Sequence, residues 1–120
     1  MASILVVDDD VNITDVLREA LEHSGHFVTV ANHGREGLQR LMERPFDLVL
    51  VDLRMPVMSG FEMIRSLRGT LKSTVPVLVL TGYASIESLF QCTELGISGY
   101  LPKPFRLDEL DQKVRGVLDG

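Results

Sequence analysis

Residues 4–10 read Ile4-Leu5-Val6-Val7-Asp8-Asp9-Asp10, four apolar residues running straight into three acids. A run that short, rich in Val and Ile and closed by polar residues, predicts a strand buried on both faces. The same construction recurs twice: Leu48 to Val51 leads into Asp52, and Val77 to Leu80 leads into Thr81. Phe27 to Ala31 and Gly99 to Leu101 are more mixed in polarity, as edge strands are, and the second runs into Lys103. Acids, a hydroxyl and one cation therefore stand at the carboxyl ends of four predicted strands.

Helical periodicity fills the intervals. Ile13, Val16, Leu17, Ala20 and Leu21 follow the i, i+3, i+4, i+7, i+8 pattern of one apolar stripe. Leu38, Leu41 and Met42 repeat it, as do Phe61, Ile64 and Leu67, then Ile86, Leu89, Phe90 and Thr93. Leu107, Leu110, Val114, Val117 and Leu118 form the fifth set. Asp10 is placed to cap the first helix, and Ser59 with Glu62 to form a capping box on the third. Gly25, Gly69 and Gly96 mark expected helix ends, and Pro45 and Pro76 stand just before strands three and four. Five strand–helix alternations without repeat or linker predict one α/β domain over residues 1–120. Its sheet is mostly parallel and doubly wound. In such a sheet, ligands bind beyond the carboxyl ends of the strands.

Composition narrows the function. Twelve Lys and Arg stand against seventeen Asp and Glu, a net charge of −5, which disfavours direct binding to a nucleic-acid backbone. No apolar run approaches the ~20 residues of a membrane helix, and the start Met1-Ala2-Ser3 has no basic leader character, so a cytoplasmic location is expected. Cys92 is the only cysteine and reads as a packed apolar residue, which excludes an intrachain disulfide or a thiolate cluster. His23, His26 and His33 have no helical ligand spacing and are read as structural.

The acids of Asp8-Asp9-Asp10 and Asp52 cannot all be ionised within a few ångströms of one another without a compensating positive charge. An all-oxygen set of this kind suits a hard ion such as Mg²⁺, which shares its shell with phosphate groups. Lys103 would meet an anionic substrate and Thr81 would donate a hydrogen bond. A carboxylate so placed can attack phosphorus and carry the phosphoryl group covalently. Singly, each residue has a plainer reading as a cap, a loop acid, a turn hydroxyl or a solvated charge. Their convergence at successive strand ends is what argues for chemistry.

The strings Val6-Val7-Asp8-Asp9, Val51-Asp52-Leu53-Arg54-Met55-Pro56, Leu80-Thr81-Gly82 and Lys103-Pro104-Phe105 resemble the receiver domain of bacterial two-component response regulators. The resemblance covers essentially the whole chain. It implies the flavodoxin-like (βα)5 fold with strand order 2-1-3-4-5. It also implies Asp52 as phosphoacceptor for a sensor histidine kinase or phosphotransfer protein, and Mg²⁺ held by Asp8, Asp9, Asp52 and the backbone carbonyl of Arg54. Lys103 would bind the phosphoryl group, with the Lys103–Pro104 peptide cis, and Thr81 with Tyr100 would form the switch pair. The surface of helix four, strand five and helix five would then control an output domain, a target protein or a homodimer. Such a domain promotes only its own phosphorylation and dephosphorylation, so it is not expected to be an enzyme in the ordinary sense. Gly82 stands where many members carry alanine, and Pro102 precedes the lysine; neither change removes a chemical group. Arg54 and Tyr83 fall at the positions flanking the path of a hydrolytic water, and their bulk implies slow self-dephosphorylation.

Three other classes fit less well. A phosphoaspartate phosphatase wants a second acid where Arg54 stands, and a flavodoxin-type electron carrier wants a hydroxyl- and glycine-rich loop where three acids stand. A non-phosphorylated interaction module has no use for the intact acceptor set. The chain ends at Gly120, near the expected end of helix five, and both a stand-alone regulator and a segment of a longer one remain open.

Overall fold

Strands whose odd and even residues are both apolar can be buried only by layers on each side of a sheet. The computed structural model describes residues 1–82 and 85–119. Among them, β1 (Ser3–Val7), β2 (Phe27–Ala31), β3 (Leu48–Val51), β4 (Val77–Thr81) and β5 (Gly99–Pro102) alternate with α1 (Val11–His23), α2 (Gly34–Glu43), α3 (Gly60–Gly69), α4 (Ile86–Glu94) and α5 (Leu107–Asp119). All strands pair in parallel in the order β2-β1-β3-β4-β5, so the two mixed runs are the edges. This is the doubly wound, flavodoxin-like architecture that the sequence leads one to expect.

The even residues Ile4, Val6, Leu48, Leu50, Leu78 and Leu80 pack with Leu17 and Leu21 of α1 and with Leu110 and Val114 of α5. The odd residues Leu5, Val7, Val49, Val51, Val77 and Val79 face the other layer, against Met63, Ile64 and Leu67 of α3 and Cys92 of α4. Burial pushes the Cys92 thiol up to about 11, so it stays a neutral packed group, as its place in the sequence suggests.

Local signals explain most boundaries. Asp10 caps α1 by accepting from the Asn12 and Ile13 N–H groups, and Ser59 with Glu62 closes the capping box of α3. Gly25 and Gly96 follow α1 and α4 with φ of 94° and 72°, the left-handed conformation that glycine adopts without steric cost. Gly69 ends α3 as expected, but without the left-handed φ of Gly25 and Gly96. It is the last helical residue, Thr70 caps the helix, and the chain turns at Lys72, whose φ is 55°. Two of the histidines have backbone partners: His33 Nδ1 caps α2 by accepting from the Glu36 N–H, and His26 Nδ1 accepts from Ala2 N–H.

Four apolar stripes differ from the periodicity reading: Met42 of α2 and Leu107 of α5 are 65% and 50% exposed, at the margins of their stripes, and α1 and α4 change as well. Val16 of α1 is 50% exposed, and Thr14 is buried in its stead, its hydroxyl satisfied by the Val11 carbonyl. The change in α4 is larger. Ile86, Leu89 and Phe90 are 79%, 43% and 67% exposed, and the buried face is Ser88 with Cys92. Periodicity finds an apolar stripe but does not say whether the sheet is what it meets. Here small residues at i and i+4 face the sheet, and the half-buried Tyr100 side chain packs against that same layer.

Candidate functional site

Parallel pairing places the strand ends side by side, and backbone hydrogen bonds continue the ladder past them. Val7 pairs with Val51, the Asp52 N–H donates to the Val7 carbonyl at 3.0 Å, and the Asp8 N–H donates to the Ala31 carbonyl at 3.1 Å. On the far side, Lys103 N–H donates to the Thr81 carbonyl at 2.7 Å. Asp8 and Asp52 therefore stand on adjacent strand ends, with Lys103 reaching in from the end of β5.

One carboxylate oxygen from each of Asp8, Asp9 and Asp52 lies within 4.8 Å of the others. Asp8 and Asp52 are buried, at 2% and 8% exposure, while Asp9 faces solvent. Lys103 Nζ donates to Asp8 Oδ2 at 2.6 Å and lies 3.6 Å from Asp52 Oδ2. The other Asp8 oxygen accepts from the Asp10 N–H at 3.0 Å. Burial holds the Asp52 carboxyl above its ordinary value of 3.8. Lys103 pulls it back down, the Asp8 charge pushes it up, the Arg54 N–H bond pulls down, and Asp9 pushes up. One ammonium, paired with Asp8 and Asp52, stands beside three acids, which leaves the cluster short of positive charge. A hard divalent cation fits that deficit and that all-oxygen donor set.

The other sequence-selected residues lie around this cluster. Thr81 closes β4 and is fully buried. Tyr100 lies opposite Val79 in the β4–β5 register, and Thr81 and Tyr100 both belong to the odd-residue layer. The Tyr100 hydroxyl is 3.0 Å from Ser88 Oγ. The Lys103–Pro104 peptide is cis. Arg54 has an exposed side chain, and its N–H is bonded to the Asp52 carboxylate. Tyr83 lies outside the described residues.

Two contributors are not evident from motif reading. Gly60 begins α3 directly over the Asp52 peptide: a Cβ there would come within 2.3 Å of the Asp52 carbonyl oxygen and 2.8 Å of Leu53 Cα. Only glycine permits that approach, and the Gly60 N–H donates to the Leu53 carbonyl at 3.0 Å to fix it. The preceding loop bends at Val57, whose φ of 70° accompanies a 2.7 Å bond from Met58 N–H to the Pro56 carbonyl, a γ-turn. Ser88 is the second contributor. Its polar character hid it from an apolar-periodicity search, although Ser85 three residues earlier is a readable cap signal.

Fold and site together define a parallel α/β domain with a carboxylate cluster and a lysine at its carboxyl rim. The comparisons make this specific: the response regulator receiver domain family matches residues 4–115, and the chain belongs to it. It is 38% identical to the transcriptional regulatory protein ZraR of Escherichia coli O157:H7 over 96% of this chain and 26% of that protein. It is 40% identical to the response regulator MprA of Mycolicibacterium vanbaalenii, covering 96% of this chain and 49% of that one. The chain thus spans a quarter to a half of the length of these curated relatives. Among solved structures, the chemotaxis response regulator CheY4 of Vibrio cholerae superposes with a TM-score of 0.92 at 34% identity, covering 98% of this chain and 99% of that one. A CheY-like receiver domain from Methanospirillum hungatei JF-1 gives 0.94 at 33% identity, over 99% and 94%.

Proposed function

We propose that residues 1–120 act as one phosphoacceptor domain in a two-component pathway, with Asp52 taking a phosphoryl group from the phosphohistidine of a sensor histidine kinase or phosphotransfer protein. The observation that carries this is the Asp52 carboxylate itself. It is buried at the end of β3, within 4.8 Å of two further carboxylates and 3.6 Å from Lys103 Nζ. An Asp52 oxygen attacks phosphorus, the phosphorus–nitrogen bond breaks, and its electron pair returns to the imidazole nitrogen, which takes up a proton. Asp8, Asp9, Asp52 and the Arg54 carbonyl would hold Mg²⁺, which supplies charge neutralisation for the acids and for the transferring group. Lys103, now on Asp8, has a second anion to meet once the phosphoryl group arrives. Thr81 donates to a phosphoryl oxygen, and Tyr100 responds on the same sheet layer.

The α4–β5–α5 surface would then report the state of the site to an output domain, a target protein or a second copy. Relatives that extend beyond the matched segment and are named transcriptional regulators support an output domain. The absence of any helix long and apolar enough to cross a membrane among the described residues, and the acidic composition, fit work in the cytoplasm without direct nucleic-acid contact by this segment. The test is phosphoryl uptake from acetyl phosphate, followed by intact mass. One phosphoryl group per chain with Mg²⁺ and none with a chelator is the expected result; equal uptake under both conditions contradicts the site.

A further inference from the structure

The buried face of α4 carries a hydroxyl that neither the apolar periodicity nor the acceptor chemistry accounts for. Ser88 is 7% exposed and occupies the third position of the helix. Its N–H donates to Ser85 Oγ at 3.0 Å, its own Oγ accepts from the Ser85 N–H at 3.2 Å, and it lies 3.1 Å from the Ser85 carbonyl. The same oxygen is 3.0 Å from the Tyr100 hydroxyl. The tyrosine is thereby wired into the hydrogen bonds that start the helix. Ser88 has one hydroxyl proton; when it goes to the Ser85 carbonyl, Tyr100 is the donor, so the contact persists in either arrangement.

The two ends of α4 are held differently. At its carboxyl end, the Arg68 guanidinium of α3 donates to the Leu95 carbonyl at 3.2 Å and the Gly96 carbonyl at 2.9 Å. Arg68 also donates to the carbonyls of Ser73 and Val75, which lead into β4, so this end is fixed to the body by several charge-assisted bonds. At its amino end, the buried side chain among the described residues is Ser88, and its partner on β5 is Tyr100. Ile86, Leu89 and Phe90 are 79%, 43% and 67% exposed, outside the buried face that Ser88 and Cys92 form.

We infer that Ser88 is the positioning residue through which the Thr81–Tyr100 layer acts on α4: a shift of the Tyr100 ring alters the hydrogen bonding at the helix start, and α4 moves about its Arg68-clamped end. This rests on the proposed phosphoacceptor role of Asp52 and extends it to the path by which that site reaches the exposed face of α4.

Amide hydrogen exchange of the full chain tests it, with and without acetyl phosphate and Mg²⁺, on the parent, Ser88→Ala, Ser88→Thr and Tyr100→Phe. In the parent, phosphorylation changes exchange at the α4 amides by about fivefold or more, the scale of one ordinary hydrogen bond. Ser88→Ala takes up the phosphoryl group as the parent does, but its α4 response falls below about twofold, and Ser88→Thr restores it. Tyr100→Phe leaves the Ser85–Ser88 cap intact and loses the response to the same degree, and the double variant Ser88→Ala/Tyr100→Phe loses no more than either. A full α4 response in Ser88→Ala overturns the inference. So does a full response in Tyr100→Phe, because the effect of Ser88→Ala would then belong to the cap alone. Absence of phosphoryl uptake in the parent overturns the Asp52 reading and this inference with it, whereas uptake with an unaltered α4 response in the variants overturns this inference alone.

Discussion

Replacing Asp52 by asparagine should make the metal-free protein more stable. The substitution keeps the shape of the side chain and removes one charge from a cluster with too many. At an effective dielectric constant of about 20, two carboxylates at the 4.8 Å limit repel by about 3.5 kcal/mol, and an ammonium at 3.6 Å attracts by about 4.6 kcal/mol. Asp52 meets two such repulsions, the one from exposed Asp9 weakened by solvent, against one attraction that it shares with Asp8. The cost of burying the charge adds to the repulsion. Ionised Asp52 is therefore expected to cost the fold about 1–3 kcal/mol without metal. A chain of 120 residues melts with an entropy near 250 cal/mol/K, so the variant should melt about 4–12 °C higher at neutral pH.

The pH dependence fixes the cause. The folded carboxyl is held above its ordinary value of 3.8. The stability that its protonated form lends is complete below that value and is lost as pH rises through the raised folded value. The asparagine never ionises, so the gap between variant and parent should open over that window and close toward pH 3.8. Saturating Mg²⁺ should also close it, because in the proposed site the parent offers the ion one more carboxylate. Thermal melts with chelator across that pH range are the assay. A variant that melts at or below the parent at neutral pH, or a gap that does not change with pH, refutes the electrostatic account.

Other substitutions separate roles that neighbouring residues share. Asp9→Ala should weaken Mg²⁺ binding in a fluorescence or calorimetric titration, whereas Asp10→Ala should leave it nearly intact and cost about 1 kcal/mol of stability through the lost cap; equal effects on affinity would mean that the acidic triplet is misassigned. Gly60→Ala should destabilise the fold by about 1–3 kcal/mol in denaturant melts, since the added carbon cannot fit over the Asp52 peptide, and should slow phosphoryl uptake as well. A neutral Gly60→Ala would show that this contact is not tight in solution. Arg54→Asn/Tyr83→Ala should lose its phosphoryl group about tenfold faster than the parent, equivalent to removing ~1.4 kcal/mol of barrier, in a phosphate-release assay with Mg²⁺ held constant. Decay no faster than the parent would mean that the two side chains do not shield the site.

How much was legible follows from where each signal resides. The three core strands are continuous apolar runs, and their ends are marked by charges, so the sheet and the acid cluster emerge from the same reading. Asp8 and Asp52 come together because their strands pair in register, and strand adjacency entered through family resemblance, since periodicity carries none. Gly69 marks the end of α3 as its place in the sequence suggests, whereas the left-handed turn comes later, at Lys72, which no glycine signals. The α4 stripe is where periodicity misleads. An exposed apolar face and a buried one have the same period, and only packing shows that Ser88 and Cys92 meet the sheet. Gly60 and Ser88 escaped because a close approach and a buried hydroxyl pair belong to tertiary structure.

The central claim is that Asp52 itself carries the phosphoryl group, and locating the modified residue tests it most directly. The parent is treated with acetyl phosphate and Mg²⁺, reduced with borohydride to convert the acyl phosphate to a stable alcohol, digested, and sequenced by mass spectrometry. The account predicts conversion at Asp52 alone, with none in Asp52→Asn. Conversion at Asp8, Asp9 or any residue other than Asp52, or undiminished conversion in Asp52→Asn, would contradict it.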